Sequence, residues 1–308
     1  EVQSFDAFYA WYKQELAGAV DFAAAGTNLL DETYGQSWPI AFCSATYGSA
    51  FRKGLDVTRG GAKYPFSSIN GTGMADAVDS LLAIKRIVYD EKQLSLEALA
   101  EILKNDFEGQ EPLRRRLSGL KGRYGNDAAA ADSMMGELAD LFVSRIRSKT
   151  NPYGERYQAG FYSVYHHSAM GQYTAALPSG RKAGAALANG FSACQGQDVS
   201  GPTAAIRSVL CTDHAKLANG MVLDIKFLPS FLEGEAHRRI LRDLVGTYFA
   251  EGGMEIQFNV IGRETLLDAQ RRPEAYGNLI VRISGYSAYY TTLAASLQDE
   301  IIARTENG

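Results

Sequence analysis

Apolar residues recur every three to four positions through much of the first half of the chain, which is the spacing of amphipathic helices. The first such stretch follows Ser4, a residue type that often caps a helix N-terminus. Another follows Ser95 and carries the acidic Glu97 in its first turn. A looser segment, rich in Gly, Ser, Thr and Tyr, follows the first helix and reaches about residue 75. Helices are predicted over residues 4–20, 76–89, 95–107 and 129–147.

In the second half, strand patterns alternate with helix patterns. The middle strand alternates strictly, so that Gln257 and Asn259 share a polar face. The last strand is apolar enough to be buried on both faces. This order of elements predicts an α/β sheet or barrel with crossover connections. Strands are predicted at 221–227, 254–261 and 279–283, and helices at 235–250 and 293–304.

The composition is that of an ordinary globular protein and excludes several classes. The chain has 308 residues, of which 46% are hydrophobic and 21% charged, enough for one large or two medium domains. Its 31 basic and 35 acidic residues give a net charge of −4, so nucleic acid is not an expected partner. No apolar run of about 18 residues is present, so no membrane span is expected.

Cysteines and histidines give no metal or disulfide pattern. Cys43, Cys194 and Cys211 are too few and too widely spaced for a disulfide scaffold or a CxxC zinc site. We expect them to pack as small apolar residues in a reducing, cytoplasmic compartment. His166 and His167 are neighbours and would point to opposite faces of a strand, so no metal site is predicted. The remaining histidines, expected at the surface, are His214 and His237.

One glycine stands in an unusual setting at the end of the last predicted strand. Gly285 lies between Ser284 and Tyr286, and a run of Ser, Ala and Tyr residues follows. A generic surface turn is not so rich in aromatic residues. From the pattern alone, a positive φ or a close backbone approach explains the glycine better than a functional role does.

Residues 279–289, LIVRISGYSAY, closely resemble the C-terminal signature of the glycyl radical enzymes. That family includes pyruvate formate-lyase, choline trimethylamine-lyase, glycerol and diol dehydratases, hydroxyproline dehydratase and arylacetate decarboxylases. The resemblance continues through residues 298–306, and earlier blocks follow the family's order along nearly the whole chain. These blocks are residues 53–64, 79–85, 124–127, 180–182, 201–205, 256–260 and 267–274.

The resemblance implies an α/β fold, the second half of a ten-stranded barrel surrounded by helices. Residues 1–160 would form the mostly helical end of a pyruvate formate-lyase-like domain, and residues 175–308 would form the glycine radical domain. The remainder of the barrel would come from upstream chain or from a separate subunit, and the complete enzyme would be a homodimer. Because a half barrel exposes sheet edges and an apolar interior, we do not expect this chain alone to be a stable monomer.

By the same resemblance, Gly285 would carry a glycyl radical, protected by burial at the strand end. A separate activating enzyme, which uses S-adenosylmethionine and an iron–sulfur cluster, would remove one Cα hydrogen, and this chain would bind no cofactor. Arg304, in the last turn of the final helix, is expected to serve the helix end. The residues expected to support the radical loop are Arg282, Ser284, Tyr286, Ser287, Gln257 and Asn259.

The family's chemistry also needs a cysteine whose thiyl radical abstracts hydrogen from a small-molecule substrate. None of the three cysteines stands in a Gly-Cys-x-Glu motif or beside another cysteine, so the thiyl cysteine is expected upstream of Glu1. A chain that starts without methionine agrees with this expectation. Residues 286–290 resemble the dehydratase and lyase branch, which favours cleavage of C–O, C–N or C–S bonds.

Three alternatives stay open at this point. The first is a formate C-acetyltransferase of the pyruvate formate-lyase type, or a decarboxylase. The second is a non-catalytic subunit that donates its radical to another polypeptide, and the third is a degenerate structural relative. The sequence of the cysteine loop would separate elimination from acyl transfer.

Overall fold

A computed structural model describes residues 3–307. The first half is mostly helical, as predicted, and its longest helices pack side by side around a central apolar core. The long helices are α1 (Phe5–Ser37), α4 (Met74–Ile84) and α7 (Ala129–Arg147). The shorter ones are α2 (Ala41–Thr46), α3 (Gly48–Lys53), α5 (Leu96–Lys104) and α6 (Glu111–Ser118).

Local signals predicted the helix starts correctly. The Ala7 N–H donates to Ser4 Oγ at 3.2 Å, so Ser4 caps α1. The Ala98 N–H donates to Ser95 Oγ at 3.1 Å, which confirms the cap of α5. The bounds of α7 are those predicted from apolar spacing. α4 continues as a wider π-helical stretch, Lys85–Asp90, so the predicted helix is confirmed there too.

α1 runs to Ser37, well beyond its predicted end at residue 20. The extension contains Ala23–Ala25 and no proline, so the strongest helix breaker is missing from it. On its inner face, Ala24 is buried in the central core. On its outer face, Phe22 and Leu29 are exposed, and these residues obscured the amphipathic pattern.

Parallel strands form a wall that draws on both halves of the chain. β1 pairs with β2, and Phe161, just after β2, bridges in parallel to Met221 at the start of the β3 segment. β3 in turn pairs in parallel with β4. The wall therefore runs in the order β1, β2, β3, β4. Its strands are β1 (Ser68–Asn70), β2 (Gln158–Gly160), β3 (Leu223–Phe227) and β4 (Ile256–Val260).

The crossover connection expected between parallel strands is present. A helix over Glu235–Ala250, α10, joins β3 to β4. Two further helices precede it, α8 over His166–Tyr173 and α9 over Pro202–Val209. The polar face of β4 is its buried face, since Gln257 and Asn259 are almost completely buried. That face is turned toward the C-terminal hairpin.

The last predicted strand is half of a β-hairpin rather than a strand buried on both faces. β5 (Ile280–Arg282) pairs antiparallel with β6 (Ser287–Tyr289). Ile280 is 59% exposed, whereas Val281 is buried. The prediction was wrong because only one face of this hairpin packs on the protein, against α11 (Arg263–Arg271) and α12 (Ala295–Ala303).

The hairpin has an apolar cluster of its own, separate from the central core. Val281 and Ile283 from the hairpin meet Leu266 of α11 and Ile301 of α12. The cluster's buried members are Ile261, Leu266, Ala269, Val281, Ile283, Tyr290, Leu297, Ile301 and Ile302. The last described element is β7 (Glu306–Asn307), which pairs in parallel with β3. Within residues 3–307, no helix is both long enough and apolar enough to cross a membrane.

We expect the 308-residue chain, expressed alone, to self-associate. Large apolar side chains are exposed on α1–α3, among them Phe22 (83% exposed), Phe42 (89%) and Phe51 (74%). Sedimentation velocity over a range of concentrations should therefore show oligomers. Replacing these three residues with serine should shift the distribution toward monomer. A sharp, two-state melt from a monomer of the unmodified chain would contradict this expectation.

Candidate active site

Gly285 lies at the tip of the β5–β6 hairpin, in a tight turn with Ser284. The turn is closed by the Ile283 N–H, which donates to the Tyr286 carbonyl at 2.9 Å. Gly285 has φ +84°, a conformation that side-chain-bearing residues rarely adopt. A Cβ built on it would meet no atom nearer than Val222 Cγ2 at 4.0 Å. The glycine is required by its backbone conformation and not by crowding.

The Cα of Gly285 is therefore open to approach, and the residue is exposed on this chain. The sequence predicted that Gly285 is buried at the strand end, but in the part of the chain that the structure describes, residues 3–307, it is exposed. The positive φ favoured from the pattern alone is confirmed.

Side-chain amides join the hairpin to the parallel wall. Asn259 Nδ2 donates to the Arg282 carbonyl at 2.8 Å, and the Arg282 N–H donates to Asn259 Oδ1 at 2.8 Å. One amide group thus satisfies both backbone groups of Arg282, as a neighbouring strand would. Gln257 Oε1 accepts from the Gly285 N–H at 3.2 Å and from Arg282 Nε at 3.1 Å. The structure brings both residues to the hairpin.

Arg282 bridges the two strands of the hairpin as well. Its Nη1 donates to Ser287 Oγ at 3.1 Å, on the strand that leaves the turn. Its Nη2 lies 3.9 Å from Glu255 Oε1, just before β4. The guanidinium therefore holds the hairpin's two strands and β4 in one arrangement. Tyr286 packs on the hairpin's apolar cluster, and burial raises the pKa of its phenol.

Ser284 anchors the other side of the turn through a chain of buried polar groups. Its Oγ accepts from the Ser163 N–H at 3.2 Å. Ser163 Oγ lies 2.6 Å from Asn189 Oδ1 and 2.8 Å from His167 Nδ1. Asn189 Nδ2 donates to the Ile283 carbonyl at 2.8 Å, so its Oδ1 must face Ser163. The Ser163 O–H then donates to Asn189 Oδ1, and the His167 Nδ1–H donates to Ser163 Oγ.

Arg304 was expected from its position to serve the end of the final helix. Instead it lies buried beneath the hairpin. Its Nη2 donates to the Ile283 carbonyl at 2.9 Å and to Glu300 Oε2 at 3.0 Å. Its Nη1 lies 3.4 Å from Asp224 Oδ1. The helix-end role belongs to Lys226, whose buried Nζ donates to the Ile301 and Ile302 carbonyls at 3.4 and 3.2 Å.

Sequence reasoning missed the charged residues of this site. The side chains of Asp224 and Glu300 are both almost completely buried, and Glu300 Oε2 also lies 3.5 Å from His167 Nε2. The available signal was one aspartate and one lysine inside an otherwise apolar strand, at positions 224 and 226. Charged residues are rarely buried without a partner, so such a strand indicates a built polar site.

Burial and Arg304 act in opposite directions on these two carboxylates. Burial raises the pKa of Asp224 to about 7, although the Arg304 charge opposes the rise. Burial would raise the pKa of Glu300 as well, but the Arg304 charge and the nearby His167 hold that pKa well below its ordinary value. Glu300 therefore stays ionised while Asp224 titrates near neutral pH.

The other histidines and cysteines lie away from the hairpin's hydrogen bonds. His214 was expected at the surface but is buried, because its Nε2 donates to the Val209 carbonyl at 2.9 Å and its Nδ1 accepts from the Met254 N–H at 3.1 Å. His237 is exposed, as predicted. Cys194 is buried in the central core, but Cys43 is exposed, contrary to expectation.

His166 and His167 lie in α8 and not in a strand, and His166 is exposed while His167 is buried. Among residues 3–307, no group of three or more His, Cys, Asp or Glu side chains is placed to hold a metal ion. A cavity of about 530 Å³ opens beside Arg181 and Glu300, and the hairpin contributes no residue to its lining.

Two family models match the chain, Pyruvate formate lyase-like over residues 1–171 and Glycine radical over residues 187–291. The trans-4-hydroxy-L-proline dehydratase of Clostridioides difficile is 34% identical over 304 residues, covering 99% of this chain and 38% of that protein. The isethionate sulfite-lyase of Nitratidesulfovibrio vulgaris is 40% identical over 235 residues, covering 76% of this chain and 28% of that protein.

Solved structures are similar to this chain over nearly its whole length. The B12-independent glycerol dehydratase of Clostridium butyricum superimposes with a TM-score of 0.93 at 39% identity, covering 100% of this chain and 39% of that one. A glycyl radical enzyme of Archaeoglobus fulgidus superimposes with a TM-score of 0.90 at 32% identity, covering 97% of this chain and 38% of that one. The chain belongs to the glycyl radical enzyme family, and its fold is part of that family's α/β barrel. It spans about two-fifths of the length of the hydroxyproline and glycerol dehydratases and 28% of the isethionate sulfite-lyase.

We expect Asp224 to make the protein less stable as pH rises from about 4 to about 7. Its pKa is about 7 in the folded protein against an ordinary value of 3.8 in an unfolded chain, so the folded state keeps a proton that the unfolded chain has released. The contribution is therefore fully present below about pH 4 and lost through about pH 7, with a slope of up to about 1.4 kcal/mol per pH unit.

Denaturant melts of the wild type and Asp224→Asn across this range measure the effect. The variant should lack this part of the slope. Asp79, whose pKa burial raises to about 6, contributes in the same direction in both proteins, so the comparison isolates Asp224. Equal slopes in the two proteins would show that Asp224 titrates alike in the folded and unfolded states.

Proposed function

We propose that Gly285 is the radical-bearing residue of a glycyl radical lyase or dehydratase. The observation that supports this is an open Cα at a hairpin tip whose backbone is fixed on three sides. Gln257 holds the Gly285 N–H, Ser163 holds Ser284, and Arg304 holds the Ile283 carbonyl. A reagent can approach the Cα while the backbone around it stays in place.

Glycine suits this role for a physical reason. Loss of a Cα hydrogen leaves an unpaired electron that the amide nitrogen and the carbonyl delocalise together, and this requires a planar centre. A Cβ would crowd the planar form and hinder approach to it. The neighbouring residues leave open space at Gly285, so they do not exclude a side chain there. Glycine is needed because of the planar geometry of the radical and because of its positive φ.

The proposed chemistry needs partners that this chain does not supply. A separate radical S-adenosylmethionine activase with an iron–sulfur cluster would install the radical, and no cofactor would stay bound here. The remainder of the barrel would cover the exposed hairpin tip and carry the thiyl cysteine. The complete enzyme would act as a homodimer in the cytoplasm on a small polar molecule.

Elimination is the reaction class that the relatives favour. Their names include a hydroxyproline dehydratase, a (2S)-3-sulfopropanediol dehydratase and an isethionate sulfite-lyase. Cleavage of a C–O, C–N or C–S bond next to the carbon that loses hydrogen is therefore the proposed reaction.

The radical assignment predicts a doublet in the electron paramagnetic resonance (EPR) spectrum after anaerobic activation, and Gly285→Ala should abolish it. Alanine at φ +84° costs roughly 1–2 kcal/mol, so the variant should still fold. Gly277→Ala is the matched control, because Gly277 has φ −58° and open space around it. It should keep the doublet. A doublet that persists in Gly285→Ala would place the radical elsewhere, and its absence from full-length wild type treated with a competent activase would remove the proposal.

Replacing Cys43, Cys194 and Cys211 together with alanine should leave both radical and turnover in place, because the thiyl cysteine is proposed to lie outside this chain. Cys43 is exposed on α2, and burial raises the pKa of Cys211 to about 12 and the pKa of Cys194 well above its ordinary value. Turnover would be assayed with trans-4-hydroxy-L-proline, glycerol and isethionate. A variant that keeps the doublet and a wild-type melt but loses turnover would assign the thiyl to one of the three. A radical without turnover in any wild-type assay would favour a radical-donor subunit.

A further inference from the structure

We propose that the Asp224 carboxylate, acting through the side-chain amide of Gln257, is a positioning group that stabilises the radical at Gly285. The inference rests on the proposed function and adds a residue that neither the sequence nor the comparisons assigned. Asp224 contacts no reacting atom, and its effect passes through two hydrogen bonds to the nitrogen next to the radical carbon.

The direction of these hydrogen bonds is fixed by their chemistry. Gln257 Nε2 donates to Asp224 Oδ1, since an ionised carboxylate only accepts. The Gln257 Oε1 atom therefore faces the hairpin, where it accepts from the Gly285 N–H at 3.2 Å. The chain runs in one sense, from Gly285 through Gln257 to Asp224, and each bond polarises the next.

Asp224 is held so that its charge points along this chain. Asn189 Nδ2 donates to Oδ2, Arg304 Nη1 lies 3.4 Å from Oδ1, and the Asp224 N–H donates to Ser192 Oγ at 3.0 Å. The like-charged groups near it are Glu300 on α12 and Glu255 before β4. Arg304 is shared with Glu300, so its positive charge neutralises the Asp224 carboxylate only in part. The negative charge that remains on Asp224 acts on the Gln257 amide.

The chemistry explains why this matters. A carbon-centred radical delivered by the activating enzyme takes one hydrogen atom, a proton with one electron, from Gly285 Cα. The C–H bond breaks, a C–H bond forms on the reagent, and one unpaired electron stays on Cα. The adjacent nitrogen stabilises that electron by donating its lone pair. A stronger acceptor on the N–H makes the nitrogen richer in electrons and the radical more stable.

The test is EPR of the activated full-length protein, labelled with ¹⁵N-glycine, at about pH 8.5, above the pKa of Asp224. Asp224→Asn and Gln257→Leu should each reduce the ¹⁵N hyperfine coupling of the doublet. Each should also shorten the radical lifetime roughly fivefold, the effect of weakening one hydrogen bond by about 1 kcal/mol. Asp224→Glu should restore part of the coupling, because it keeps the carboxylate.

Asp198→Asn is the matched control. Asp198 is also a largely buried carboxylate, and it accepts a hydrogen bond from Thr305 close to Arg304 but makes no contact with Gln257. It should leave the ¹⁵N hyperfine coupling unchanged.

If Asp224→Asn fails to fold, Gln257→Leu still breaks the chain of hydrogen bonds while leaving Asp224 and Arg304 paired. A doublet with wild-type coupling and lifetime in Gln257→Leu would overturn the inference and leave the radical assignment standing. The absence of any doublet in the wild type would overturn both.

Discussion

The buried guanidinium of Arg304 is the group on which this site depends. It contacts the carboxylates of Glu300 and Asp224 and the carbonyl of Ile283, and so joins α12, β3 and the hairpin at one point. Charges taken out of water are stable only when they are paired and hydrogen-bonded. Because the pairing partners come from three different elements, the cost of an unpaired charge fixes the positions of those elements relative to one another.

Around that point, the hairpin is attached to the wall through side chains and not through a backbone ladder. Asn259 reproduces with one amide the two hydrogen bonds that a neighbouring strand would make to Arg282. Gln257 Oε1 likewise accepts one such hydrogen bond, from the Gly285 N–H. A backbone ladder would bind every second residue along the strand, whereas side chains allow the protein to hold chosen atoms of the hairpin and leave the Cα of Gly285 free.

The sequence predicted what depends on neighbouring residues and failed where partners are distant. Ser4 and Ser95 were identified as caps, and the alternation in β4 correctly put Gln257 and Asn259 on one face, because these signals act within a few residues. The roles of Arg304 and Asp224 were missed, since Asp224 lies 80 positions before Arg304 in the chain. His214 looked like a surface residue because its hydrogen bonds to Val209 and Met254 leave no local pattern.

The separate apolar cluster under the hairpin has a consequence for cooperativity. The central core and this cluster share no buried apolar residue, and the links described between them at the hairpin are hydrogen bonds and ion pairs. No shared apolar core therefore ties the C-terminal segment that presents Gly285 to the strand wall, and its attachment depends on the pairing of Arg304. We expect this segment to open with a free energy of its own, set mainly by the cost of leaving those buried charges without their partners.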